Sequence, residues 1–179
     1  MLGACTYMRD TLISLTRWDY RYLNLAKEVS TWSKDPSTQV GAVIVGEKGQ
    51  ILSQGYNGFP RGIKDSKDRL NDRPTKLKLV VHAEMNCIYN ASFSGVSLEN
   101  STVYVHGLPV CSECAKGVIQ VGVKRVIMCY PIDIDGKWKD AFDDTQRMFD
   151  EAAVSYTSLS SGYKSKQGLN AIEDFRSTI

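Results

Sequence analysis

Two short segments hold side chains that could bind a metal ion and move a proton. His82-Ala83-Glu84 sets an imidazole and a carboxylate two residues apart, and Cys111-Ser112-Glu113-Cys114 sets two thiols three apart. Zinc takes imidazole nitrogen and thiolate sulfur readily, and a catalytic zinc site uses three protein ligands with water in the fourth position. Two cysteines at this spacing share one side of a helical turn and can grip a single ion. Both segments read as helix starts, where positive potential favours thiolates. The expected metal ligands are therefore His82, Cys111 and Cys114, with Glu84 left as a free carboxylate. Bound zinc lowers the pKa of its water from about 15.7 to about 7. A carboxylate beside it can do general acid–base work, typically worth about 10²–10⁴-fold.

The other candidates read as bland. Cys5, Cys87 and Cys129 look like small buried or incidental side chains. His106 stands five residues before Cys111; as a fourth ligand it would close the site, so it reads instead as a pocket-mouth or solvated residue. Trp18, Tyr22 and Trp32 stand at helical spacing and read as core, while Trp138 reads as core or as a shield over the pocket.

Several elements must position these groups. Tyr22, Leu25, Ala26, Val29 and Trp32 recur at helical steps from Trp18 onward, and Ser33-Lys34-Asp35-Pro36 ends that helix. Residues 40–45 and 51–56 read as a hairpin about a turn at 47–50. Gly55 to Gly62 must be loop, and the segment 61–78 holds a local excess of four positive charges that reads as a solvated insertion or a phosphate contact. Helices are expected over 82–92, 111–121 and 137–152, and strands over 102–106, 123–129 and 154–159. This alternation predicts an α/β sandwich of three layers around a roughly five-stranded mixed sheet. Residues 1–15 read as an arm, 16–159 as one domain, and 160–179 as a tail.

Bulk properties narrow the function. The chain has 179 residues, 42% of them hydrophobic, enough for one ordinary domain with a proper core. Its 22 basic and 20 acidic residues nearly cancel, which argues against a long nucleic-acid track or a membrane surface as partner. Five cysteines at irregular spacing suggest a reducing compartment. The first fifteen residues lack a signal peptide's apolar stretch, so Leu2-Gly3-Ala4-Cys5 reads as a chance lipobox, and a cytoplasmic location is expected.

H-x-E followed by P-C-x-x-C is the signature of zinc nucleobase deaminases. This chain departs from it by one residue, Val110 between Pro109 and Cys111, so the loop is one longer. From Trp18 to about Val154, three quarters of the chain, the sequence resembles the deoxycytidylate (dCMP) deaminase family within the wider cytidine deaminase fold. Ser33 to Ala42, the Gly55–Gly62 loop, His82-Ala83-Glu84 and Cys111 to Lys116 carry the resemblance. It implies conversion of dCMP to dUMP and ammonia by a homo-oligomer, often a hexamer. It further implies that Asn57 contacts the sugar and that the Ala83 backbone, with Glu84, contacts the pyrimidine. The family's glycine-rich loop is linked to activation by dCTP with Mg²⁺ and inhibition by dTTP. By that match Lys34, Asp35, Gly58, Phe59, Pro60, Arg61 and Gly62 are regulatory candidates.

Two rivals stand beside this reading. A deaminase of a base within tRNA or DNA would use the same metal chemistry, but it wants a basic track with stacking platforms, which the balanced charge does not supply. A closed structural zinc module would have four protein ligands and no use for Glu84.

Overall fold

The structure is a computed structural model that describes residues 15–130 and 139–160. The Cys5 and Trp138 readings, and nearly all of the arm and tail, lie outside these residues. Thr16 caps helix α1 (Arg17–Ser30): its side chain accepts from the Asp19 backbone, and the Asp19 carboxylate reaches back to the Thr16 N–H. Then come strands β1 (Gly41–Val45) and β2 (Ile51–Tyr56), helices α2 (Lys67–Asn71), α3 (Arg73–Leu79) and α4 (Ala83–Phe93), strand β3 (Thr102–His106), helix α5 (Ser112–Gln120), strand β4 (Arg125–Tyr130), helix α6 (Lys139–Glu151) and strand β5 (Ser155–Ser160).

The strands form one mixed sheet in the order β2-β1-β3-β4-β5. β1 is antiparallel to both neighbours, whereas β3, β4 and β5 run parallel, joined by α5 and α6. Two-residue alternation divides the core. Ala42, Ile44, Val103, Val105, Val126 and Met128 face one cluster with residues of α4, α5 and α6. Val43, Val45, Tyr104, Ile127 and Cys129 face the other, beneath Leu23, Ala26 and Val29 of α1. The expected three-layer α/β/α sandwich is present. Cys87 and Cys129 are buried as expected.

The reading of the tryptophans fails. Trp18 and Trp32 are exposed, not core. The buried stripe of α1 is Asp19, Leu23, Ala26, Val29 and Ser30, turned away from Trp18, and the helix ends before Trp32. A buried aspartate hid that stripe. Asp19 Oδ1 accepts from Tyr104 Oη at 2.7 Å and from Arg125 Nη1 at 2.8 Å, so the carboxylate ties α1 to β3 and β4. The segment 61–78 also holds more structure than a solvated insertion, since α2 and α3 meet at Asp72, which ends one and caps the other.

Burial pushes the Asp19 carboxyl up, but hydrogen bonds from Thr16, Tyr104 and Arg125 outweigh it and leave its pKa lowered. A depressed folded-state pKa gives stability that is complete above the ordinary carboxylate range and is lost as pH falls through the lowered value. Asp19→Ala should cost about 3 kcal/mol at neutral pH, because it leaves Arg125 without its counter-charge. Urea midpoints should also lose part of their acid dependence in that variant.

Candidate active site

β2 and α4 meet closely because Gly55 has no side chain. A Cβ there would lie 2.6 Å from the Ala83 carbonyl oxygen and would press on the Cys87 backbone nitrogen. α4 therefore lies flat on the edge of the sheet, and Ser53 Oγ donates to the Cys87 carbonyl at 2.7 Å to hold it. α5 packs beside α4 through Gly117, where a Cβ would sit 2.7 Å from Met85 Sδ.

This packing brings two helix starts together. His82 is the N-cap of α4 and Cys111 the N-cap of α5, both extended in backbone, and neither side chain is used to cap its helix. Each is free to face the other. His82 Nδ1 stands 3.4 Å from Cys111 Sγ and 3.4 Å from Cys114 Sγ. Among the described residues these three form the one group of such donors able to share an ion, all within 4.8 Å of one another.

The triangle fits zinc. Zn–N near 2.0–2.1 Å and Zn–S near 2.3 Å at a tetrahedral angle give an N···S edge of about 3.6 Å. The observed edges match, and one imidazole with two thiols is a donor set that suits zinc. Cys114 is buried and Cys111 half-buried, while His82 lies on the solvent side. The thiols are unequal: a hydrogen bond from Cys114, aided by His82, lowers Cys111 to about 4, while the same hydrogen bond, followed by burial, raises Cys114. The hydrogen bond to Cys111 likewise raises His82. Without a cation the cluster thus keeps protons that metal binding must release.

Glu84 lies in the first turn of α4, 4% exposed. Burial pushes its carboxyl up to about 7, with its own backbone and the Cys114 thiol as opposing hydrogen-bond partners. A carboxyl poised there can both take and give a proton at neutral pH. Ala83, fully buried, opens α4, so its N–H has no intrahelical acceptor.

Asn57 is buried just after β2. Its Oδ1 accepts from the Val40 N–H at 2.8 Å and its Nδ2 donates to the Thr38 carbonyl at 2.9 Å. Gly58 then pairs with Val81, directly before His82, through N–H···O bonds of 3.1 and 2.8 Å. The regulatory candidates are spread along this stretch. Lys34 is exposed and paired with Asp65 at 2.8 Å. Asp35 is buried and turned toward Lys76. Phe59 lies under Arg69; Arg61 bonds Asn90 and stands 5.4 Å from the centre of the exposed Phe93 ring; Pro60 and Gly62 are exposed.

His106 does not face the triangle. Alternation puts it with Tyr104 on the α1 face of β3, opposite Cys129, where its Nδ1 is buried without a hydrogen-bond partner among the described residues. It is neither a fourth ligand nor a pocket-mouth residue. Val110, the extra loop residue, is fully buried. It donates to Met128 Sδ at 3.4 Å and accepts from Thr145 Oγ1 at 3.0 Å, so the longer loop is absorbed inward and Cys111 keeps its place.

Asn86 and Asn90 gave no sequence signal except that asparagine is a weak helix former. Their amides donate to the Tyr56 and Gln54 carbonyls at 2.7 Å, capping outward-facing carbonyls of the edge strand β2.

A three-donor metal triangle beside a buried carboxylate, set on paired helix starts over a mixed sheet, defines a hydrolytic zinc enzyme of the nucleobase-deaminase type. The chain belongs to the family described as "Cytidine and deoxycytidylate deaminase zinc-binding region", whose model matches residues 16–130. It is 40% identical over 142 residues to a probable deoxycytidylate deaminase of Caenorhabditis elegans, covering 78% of this chain and 68% of that one. It is 35% identical over 146 residues to the deoxycytidylate deaminase of Homo sapiens, covering 78% of each. In fold it is similar to the dCMP deaminase of cyanophage S-TIM5, solved in complex with dCMP and dUMP. The TM-score is 0.61 and the identity 26%, covering 78% of this chain and 94% of that one. No helix among the described residues is long and apolar enough to cross a membrane.

Cys114→Ser should leave the purified protein with substoichiometric zinc by elemental analysis, since a serine hydroxyl does not ionise to replace the thiolate. It should also lower the thermal midpoint, because metal binding and folding are coupled.

Proposed function

We propose that this protein hydrolyses dCMP to dUMP and ammonia. The observation that carries the reading is the buried Glu84 carboxyl beside the His82–Cys111–Cys114 triangle. Relatives named deoxycytidylate deaminase, alike over most of the chain, support the choice of substrate. The proposed catalytic domain spans residues 16–159.

Held by His82, Cys111 and Cys114, zinc supplies Lewis acidity that makes water a competent nucleophile at neutral pH. The residues around it do the rest. Glu84 takes a proton from the attacking water and delivers it to N3 of the cytosine ring, which lets C4 become tetrahedral. The second proton of that oxygen passes through Glu84 to the exocyclic amine, the C4–N4 bond breaks, and ammonia leaves. The C4 oxygen becomes the carbonyl of dUMP, so one water is consumed and one ammonia released. The Ala83 N–H, free at the start of α4, can donate to the pyrimidine. Asn57 Oδ1 keeps one lone pair for a sugar hydroxyl.

The same reading extends to regulation by dCTP with Mg²⁺ and by dTTP through Lys34, Asp35 and the loop Gly58–Gly62. The exposed Lys34 and Arg61 are suitably charged for phosphates. A homo-oligomer, a hexamer by the family resemblance, would cover Tyr89 and Phe93, one helical turn apart and 50% and 83% exposed.

Glu84→Gln should retain zinc and bind dCMP yet lose about 10²–10⁴-fold in kcat. Ammonia release from dCMP, dCTP, cytidine and a cytosine-containing oligonucleotide checks the substrate. Turnover of the oligonucleotide alone would replace this reading with a nucleic-acid deaminase. The rate curve for dCMP should be sigmoidal, straightened by dCTP and depressed by dTTP; a hyperbola indifferent to both would remove the regulatory part.

A further inference from the structure

α3 ends three residues before His82 and carries a buried cation. Lys76 is 8% exposed, on a helix that otherwise presents arginine and lysine to solvent. Its Nζ donates to Asp35 Oδ1 at 2.9 Å and also to Ser37 Oγ. Asp35 is 8% exposed as well, and its Oδ1 accepts from the Ser37 N–H and Oγ, both at 2.8 Å, and from the Thr38 N–H at 3.2 Å. One carboxylate oxygen thus gathers a whole turn of backbone, with a single ammonium balancing its charge.

That turn is the other half of the Asn57 cradle. Thr38 offers its carbonyl to Asn57 Nδ2, Val40 offers its N–H to Asn57 Oδ1, and Asp35 Oδ2 lies 3.5 Å from the same Nδ2. Ser33 Oγ donates to the Asn57 carbonyl at 2.8 Å and completes the ring of contacts. Lys76 also stands six residues before His82, and Val81 between them pairs with Gly58. Two routes, one through Asp35 and one along the chain, therefore connect this lysine with both sides of the site.

We propose that Lys76 is a positioning residue for substrate binding: through Asp35 it fixes the 35–40 turn that holds the Asn57 amide toward the substrate sugar. The assignment rests on the proposed reading of Asn57 and of dCMP as substrate. It also gives Asp35 a role without nucleotide contact. A buried carboxylate with four hydrogen-bond donors on one oxygen is occupied, and a ligand acting on Lys34 or the 58–62 loop would reach the sugar site by disturbing it.

A buried charge left alone destabilises, whereas removing both partners is far better tolerated. That difference separates positioning from mere folding. Lys76→Met and the pair Lys76→Met with Asp35→Asn are compared with the wild-type holoenzyme for zinc content, urea midpoint, KM and kcat on dCMP. Amide hydrogen exchange is followed in parallel. Lys76→Met should raise KM at least tenfold while zinc stays stoichiometric and kcat falls less than threefold. Exchange should quicken at Ser37, Thr38, Val40 and Asn57 but not along α4. In the double variant the urea midpoint should recover while KM stays high. A wild-type KM in Lys76→Met, or a KM in the double variant that recovers together with the midpoint, would overturn the assignment and leave the dCMP reading standing. A wild-type protein without activity on dCMP would sink both.

Discussion

The amino ends of α4 and α5 must begin beside the same point, and each gives up its own side-chain cap to do so. A helix start usually takes an oxygen from serine, threonine or aspartate to satisfy its free N–H groups. Here His82 and Cys111 hold those positions with their side chains turned to each other, 3.4 Å apart. What the helix ends forgo in capping becomes a positive, donor-rich corner suited to thiolates and a divalent ion. The packing at Gly55 and Gly117 is subordinate to this, because a side chain at either would push α4 off the sheet or away from α5.

Around that corner lie two kinds of support. Apolar packing sets the angle of the helices: Cys87, Ala91, Ala115 and Val118 meet Ile44, Val103 and Val105 on one face of the sheet. Buried polar ties then fix what apolar packing leaves loose. Asp19 pins α1 to β3 and β4 on the far face, while Asp35 with Lys76 pins the loops beside β2. Such ties specify position more than they add stability, since each charge gives up water to be there. Their placement matches that role, at junctions between elements.

Much of this was legible in the sequence. β-branched runs and a helical period marked all five strands and the long helices, and β1 and β2 fell within a residue of the expected hairpin. The cluster of His82, Cys111 and Cys114 that could hold a metal ion was legible because few residue types suit zinc and their spacing is short. What stayed hidden was polar and buried. Asp19 lay on the inner face of α1 and displaced the apparent apolar stripe toward Trp18. Lys76 looked like one more charge in a basic stretch, because only a partner 41 residues away makes burial tolerable. Asn86 and Asn90 act on strand carbonyls that no local pattern places beneath them. The face of His106 depended on strand register, and its assignment to the pocket mouth failed for that reason.

The central claim is a zinc ion held by one imidazole and two thiolates with a fourth position open to solvent. X-ray absorption at the zinc edge of the purified protein tests it most directly. The account predicts two sulfur scatterers at about 2.3 Å and two lighter ones at about 2.0–2.1 Å, one of them replaced when a small anion is added. A shell of four protein donors indifferent to added anion, or one with no sulfur, would contradict it.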